Sequence, residues 1–182
     1  MGKIVFVLGG ARSGKSAWAE GRVLEMERAG ASVTYLATCE HRPGDAEMSD
    51  RIARHRSRRP ATWRTVEEPY ALEEAVSAPE AESVVLVDCL SLWVSNLLLI
   101  APEQEDMGAS DAILERVRRF FDAAKRASAD VIVVSNETGC GVVPPSHLGR
   151  LYRDILGWAN QEAARAADEV WFLVAGLPLR LK

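Results

Sequence analysis

Short apolar runs recur along the chain, each followed by a longer stretch of helical character. Lys3–Leu8, Val33–Ala37, Ser83–Val87, Asp130–Ser135 and Glu169–Val174 are apolar at nearly every position. Runs this short and this uniformly apolar suit strands covered on both faces, as in a parallel sheet. Between them, Ser16–Ala29 (closed by Gly30), Tyr70–Ser77, Leu90–Leu99, Asp111–Ala127 and Leu148–Ala167 read as helices. Asp111–Ala127 carries the plainest signal, with Ile113, Leu114, Val117, Phe120, Phe121 and Ala124 on one broad face. Trp63–Val66 is a further short strand. Strands alternating with helices predict an α/β layered domain, its sheet mostly parallel and flanked by helices.

The pattern breaks down between Thr38 and Pro69. His41–Gly44 is a turn, Ala46–Arg58 a helix with a heavy basic load, and Arg59-Pro60 its end. The expected organisation is one domain over residues 1–182, with an irregular excursion at about 38–69. Pro102–Gly108 reads as an acidic surface connection, Asn136–His147 as a long Gly/Pro-rich loop, and Ala175–Lys182 as a tail. There is no internal repeat.

Composition narrows the function classes. The 182 residues are 48% hydrophobic, enough for a packed core, and 22 basic against 26 acidic residues leave a net charge of −4. That balance argues against a nucleic-acid partner. Cys39, Cys89 and Cys140 form neither a close-spaced metal pair nor a disulfide framework. Leu86–Ile100 is interrupted by Asp88, Ser91, Ser95 and Asn96, so no membrane span is expected. The start of the chain has no signal-peptide layout, and the expected location is the cytoplasm.

The densest chemistry lies in Gly9-Gly-Ala-Arg-Ser-Gly-Lys-Ser16, a Walker A loop between an apolar run and a helical stretch. Glycines let successive backbone N–H groups surround a polyphosphate, and the following helix turns its N-terminus toward it. Lys15 would reach the β and γ phosphates and the Ser16 hydroxyl would sit on Mg²⁺. Asp88, at the end of the run Ser83–Val87, is placed to assist that metal; the plainer alternative is a helix N-cap. His55 sits amid Arg51, Arg54, Arg56, Arg58 and Arg59. Such a cluster could hold a polyphosphate while the imidazole attacks phosphorus, or could be a solvated helix face. His41 and His147 read more simply as loop histidines. Asn136–Pro144 follows a buried strand, at the sheet edge where ligands bind, and Glu137 is a candidate there for a hydroxyl or base edge.

Beyond the loop, further blocks run in order along the chain: Glu47-Met48, Arg51-Ile52, His55-Arg56, Arg59-Pro60 and Trp63-Arg64-Thr65; Val87–Trp93 with Ser95–Leu98; Ser135-Asn136-Glu137 with Gly139, Gly141 and Pro144; and Tyr152-Arg153-Asp154, Gly157, Asn160-Gln161 and Ala167–Val170. Together they resemble the bifunctional adenosylcobinamide kinase and adenosylcobinamide-phosphate guanylyltransferase family of cobalamin biosynthesis. The resemblance implies phosphorylation of adenosylcobinamide by ATP or GTP. Transfer of GMP from GTP through a covalent histidine, here His55, then gives adenosylcobinamide-GDP and pyrophosphate. It also implies a homotrimer. The fold expected is an α/β P-loop NTPase domain of the RecA-like kind. His55 and Lys15 would be catalytic. The expected nucleotide contacts are Gly9, Gly10, Ala11, Arg12, Ser13, Gly14, Lys15, Ser16, Arg51, Arg54, Glu67 and Asp88, with Ser16, Asp88 and Glu47 toward Mg²⁺. Thr138, Tyr152 and Arg54 depart from the commoner family pattern, and none removes a proposed catalytic group. Two readings compete with this one. A simple P-loop kinase for another hydroxyl substrate would need Lys15 and Asp88 but not His55. A nucleotide-gated interaction protein would make no product at all.

Overall fold

The computed structural model describes residues 2–39, 59–78, 82–101 and 107–182. The expected helix Ala46–Arg58, with Glu47, Arg51, Arg54 and His55, lies outside the described residues, as does His41. The elements are β1 (Ile4–Gly9), α1 (Lys15–Arg28), β2 (Ser32–Ala37), β3 (Arg64–Glu67), α2 (Leu72–Ala75), β4 (Ser83–Asp88), α3 (Leu90–Ile100), α4 (Met107–Arg126), β5 (Asp130–Asn136), α5 (His147–Ala166), β6 (Glu169–Val174) and β7 (Leu177–Arg180).

The strands form one sheet in the order β3-β2-β4-β5-β1-β6-β7. Every pairing is parallel except β6 with β7, which closes as an antiparallel hairpin. The mostly parallel α/β sheet expected from the apolar runs is therefore present, with an added antiparallel edge. Three elements differ from the sequence expectation by more than one residue. Tyr70–Ser77 contributes only the short α2, α4 begins four residues before Asp111, and the tail contains β7. Leu177, Leu179 and Leu181 are exposed, so β7 offers no buried alternating face by which a strand could be read.

Alternation along each strand divides the core between the two sheet faces. Ile4, Phe6, Val85, Val87, Val131 and Val133 face α3, α4 and α5. Val5, Val7, Val84, Leu86, Ile132 and Val134 face α1, with Tyr35 and Trp63 in the same layer. On the first face Trp93 is fully buried and its ring meets Phe120, with centroids 5.7 Å apart. Its indole N–H donates to the Tyr70 carbonyl at 2.9 Å, which satisfies the one polar atom of a buried tryptophan. Among the other large apolar side chains, Leu97 and Leu98 are buried. Trp171 and Phe172 are half-buried, and Leu99 and Trp158 are exposed. Among the described residues, no helix is long and apolar enough to cross a membrane.

Candidate active site

The carboxyl edge of the sheet gathers the chemistry. β1 ends at Gly9, the loop runs through Gly14, and α1 begins at Lys15. Gly14 sits at φ +94° and Arg12 at φ 58°, left-handed values that turn successive N–H groups toward one side of the loop. A Cβ on Gly9 would lie 2.5 Å from Ser13 Oγ and 2.7 Å from the Leu173 carbonyl oxygen, so glycine is obligatory there. One on Gly10 would meet nothing within 4 Å, which leaves that side of the loop open to a ligand. No side chain caps α1 and its first turn carries no acid. Its N-terminal N–H groups and positive dipole end are therefore directed to the loop. In α5, by contrast, Ser146 Oγ accepts from the Gly149 N–H at 3.1 Å.

Lys15 is buried and its ammonium donates to the Gly10 carbonyl at 3.0 Å, folded back along the loop. Ser16 follows it, half-buried, while Ala11 and Arg12 are exposed. Ser13 is buried, and its hydroxyl has no hydrogen-bond partner among the described residues.

Asp88 ends β4. The residue that occupies the N-cap position of α3 is Cys89, with no side-chain cap bond, so the N-cap alternative for Asp88 does not hold. Strand β5 stands between β1 and β4. Asp88 is therefore two strand spacings, about 10 Å, across the sheet from the base of the loop rather than immediately beside it. Its Oδ2 accepts a hydrogen bond from the Tyr35 hydroxyl at 2.8 Å. Glu67 ends β3 and is exposed; through Ala37 of β2 it lies in register with Asp88.

Behind this row runs a buried polar network. Cys89 Sγ and Ser91 Oγ are 2.9 Å apart, and Asn136 Nδ2 donates to Ser91 Oγ at 2.9 Å. Asn160 donates to the Asn136 carbonyl at 3.1 Å and accepts from Ser135 Oγ at 2.7 Å. Tyr152 donates to the Ser91 carbonyl at 3.1 Å. Thr38 Oγ1 accepts from the Cys89 N–H and donates to its carbonyl, both at 2.8 Å. Burial, then the charge of Asp88, pushes the Cys89 thiol up to about 11, while the charge of Lys15 opposes this. Burial raises the Tyr152 phenol as well. These groups are accordingly neutral scaffolding, and they fix the loop after β5 to the start of α3. The Glu137 N–H donates to the Gly9 carbonyl at 3.0 Å, and its carboxylate accepts from the Gly139 N–H, so this acid shapes its own turn.

Two contributors escaped the sequence reading. The turn Ala175-Gly176 of the β6–β7 hairpin packs on the Walker A loop, with the Gly176 N–H donating to the Ser13 carbonyl at 2.9 Å. Its one sequence signal was a glycine in an otherwise apolar stretch. Tyr35 lay inside an apolar run and gave no signal of its own. His147 is exposed at the first turn of α5. Among the described residues, no three His, Cys, Asp or Glu side chains gather as a metal cluster.

Residues 5–181 match the family model described as cobinamide kinase / cobinamide phosphate guanyltransferase. The chain is 48% identical over 177 residues to the bifunctional adenosylcobalamin biosynthesis protein CobP of Pseudomonas aeruginosa, covering 97% of this chain and 95% of that relative. To the bifunctional adenosylcobalamin biosynthesis protein CobU of Escherichia coli K12 it is 40% identical over 186 residues, covering 98% and 99%. The crystal structure of the flagellar accessory protein FlaH from Methanocaldococcus jannaschii superposes with a TM-score of 0.54 at 14% identity, over 99% of this chain and 78% of that one. At that identity the likeness speaks for the fold alone, an α/β domain of broadly P-loop NTPase kind.

Proposed function

The chain belongs to the cobinamide kinase / cobinamide phosphate guanyltransferase family, and from that membership we propose how its residues divide two reactions on one corrinoid. It is a bifunctional enzyme, a kinase and a guanylyltransferase acting on adenosylcobinamide. The observation that carries this is the family match over residues 5–181, which spans the Walker A loop and the histidine segment alike.

In the kinase step the loop Gly9–Gly14 and the first turn of α1 hold the triphosphate. Lys15 leaves the Gly10 carbonyl for the β and γ phosphates, and the corrinoid's hydroxyl oxygen attacks the γ phosphorus as the bond to the β,γ-bridging oxygen breaks; the nucleoside diphosphate leaves and the hydroxyl proton passes to water. Ser13, a buried hydroxyl with no partner among the described residues, is suited to a phosphate oxygen. Ser16, Asp88 and Glu47 are the metal-side candidates. The first two are hard oxygen donors at the phosphate edge, and Mg²⁺ commonly takes one or two carboxylates with its remaining positions on phosphate and water. The small protein donor set therefore fits Mg²⁺. When bound with the nucleotide, Mg²⁺ would neutralise phosphate charge as the leaving group departs.

In the guanylyl step an unprotonated His55 nitrogen attacks the α phosphorus of GTP. A P–N bond forms, the bond to the β-bridging oxygen breaks, and pyrophosphate leaves. An oxygen of the corrinoid phosphate then attacks that phosphorus, the P–N bond breaks, and adenosylcobinamide-GDP is released. Arg51 and Arg54 offset the added charge. Glu67, in register with Asp88, completes the nucleotide contacts.

The RecA-like form of the P-loop fold is supported by the strand interposed between the loop strand and the acid-bearing strand. A single domain over residues 1–182, a cytoplasmic location and a homotrimer complete the proposal. The exposed apolar edge formed by Leu177, Leu179 and Leu181 supports assembly, since a bare apolar edge strand is a liability in a monomer. Sedimentation analysis tests the trimer. The chemistry is tested by intact-mass measurement after incubation with GTP. A gain equal to GMP, mapped to His55 and discharged by the phosphorylated corrinoid, is expected. Kinase turnover with no adduct would instead identify a simple kinase.

A further inference from the structure

Tyr35 is a buried tyrosine where phenylalanine would fill the same volume. It lies on β2, in the layer facing α1, at 4% exposure. A buried hydroxyl is retained at a cost unless it has a partner, and here the partner is Asp88 Oδ2 at 2.8 Å. The phenol O–H is a neutral donor. A neutral donor fixes the plane of a carboxylate without offsetting its negative charge, as a lysine or arginine partner would.

The ring makes a second contact. The Arg59 guanidinium lies 3.6 Å from the Tyr35 ring centroid, well within cation–π range. Arg59 follows His55 by four residues in sequence. Just beyond it, Thr62 Oγ1 and the Trp63 indole N–H donate to the Glu27 carboxylate at 2.7 and 3.1 Å. The chain leaving the histidine segment is therefore fastened twice to the α1 side of the sheet, first at Tyr35.

We propose that Tyr35 is a positioning residue for both reactions: its hydroxyl orients Asp88 toward the metal and phosphates, and its ring seats Arg59 at the root of the histidine segment. The inference rests on the proposed roles of Asp88 and His55. It separates two effects that one side chain would otherwise merge, because the hydroxyl and the ring face different partners.

The test uses the full-length protein and Mg²⁺ with GTP. The Mg²⁺ concentration at half-saturation of GTP binding is measured by calorimetry, alongside GMP-adduct formation and thermal unfolding. Removing the hydrogen-bond partner of a ligating group typically costs 10–100-fold in metal affinity. Tyr35→Phe is therefore expected to raise the Mg²⁺ midpoint about ten-fold. Its kinase kcat would recover at saturating Mg²⁺ with an unchanged KM for the corrinoid. Arg59→Gln should leave the Mg²⁺ midpoint in place and slow adduct formation. Asp88→Asn is the reference. If its midpoint does not move, the metal role of Asp88 is wrong. If Asp88→Asn shifts the midpoint and Tyr35→Phe does not, the positioning role alone is overturned. An equal loss in Tyr35→Phe at every Mg²⁺ concentration, or wild-type adduct formation in Arg59→Gln, overturns it as well.

Discussion

The Gly176 N–H donates to the Ser13 carbonyl at 2.9 Å, so the last hairpin of the chain is fastened to the phosphate loop near its beginning. The contact is close on both sides. A Cβ added to Gly14, itself at φ +94°, would lie 3.1 Å from the Gly176 Cα. Gly14→Ala therefore meets backbone strain, about 1–2 kcal/mol in the left-handed region, and a neighbour that is main chain and cannot swing aside. The variant should lose roughly 2–8 °C of thermal midpoint. Because the strain acts on the loop itself, it should also bind nucleotide at least about ten-fold more weakly, a loss of about 1.4 kcal/mol. Differential scanning fluorimetry and nucleotide titration check both. Wild-type affinity would mean that the loop geometry tolerates a side chain at this position.

The proposed role of Lys15 separates what the two reactions would share from what each would own. Its ammonium rests on the Gly10 carbonyl at 3.0 Å, inside the Walker A loop proposed to cradle phosphate. If both nucleoside triphosphates use this loop in turn, Lys15→Ala should depress kinase and GMP-adduct formation alike, each by about 100-fold or more, the scale seen when one donor to a developing oxyanion is removed. His55→Ala should abolish the adduct and spare the kinase. Parallel assays of the two half-reactions read this directly. Full adduct formation in Lys15→Ala would require a second triphosphate site.

What the sequence could convey follows from the physics of each element. Buried parallel strands such as Val84–Val87 announce themselves because both faces are apolar, and the Walker A loop does so in part because Gly9 and Gly14 are demanded by close approach. Strand β7 was invisible because its leucines are exposed and alternate with nothing buried. Asp88 was legible as an acid at a strand end, but its hold by Tyr35 was not. Tyr35 and Asp88 are 53 residues apart, and a tyrosine in an apolar run reads as core. The network from Ser91 through Asn136 to Asn160 likewise joins strand and helix ends that only the sheet order brings together. The blocks that carried the family resemblance contain Asp88, Ser91, Asn136 and Asn160 but not Tyr35, and a block says which residues recur and not which touch.

Glu27 gives the fold a pH dependence of known sign. Hydrogen bonds from Thr62 and then Trp63 hold its carboxyl below the ordinary 4.5. A group depressed in the folded state contributes stability that is present above its unfolded value and lost as pH falls through the folded one. Stability should therefore decline below about pH 4.5, and part of that decline should vanish in Glu27→Gln, which cannot ionise. The same variant loosens the second fastening of the chain that follows His55, so adduct formation at neutral pH should slow while Mg²⁺-dependent nucleotide binding is kept. Urea unfolding between pH 3 and 7 tests the first expectation. Parallel acid profiles for wild type and variant would remove Glu27 from the account.

The thiols report on the same site from the alkaline side. Cys140 is exposed on the loop after β5, Cys39 is half-buried, and Cys89 is buried behind Asp88 with its thiol held near 11. Only the thiolate reacts, so at pH 8 a charged disulfide reagent should modify Cys140 quickly and leave Cys89 untouched until the protein unfolds. A raised acid stabilises the fold below its unfolded value and loses that contribution as pH rises through the folded one. The Cys89 contribution should therefore fade between about pH 9 and 11, and Cys89→Ser should flatten that part of the stability profile. Peptide mapping after timed labelling distinguishes the three positions. Rapid modification of Cys89 in the folded protein would mean that the network behind Asp88 is open to solvent.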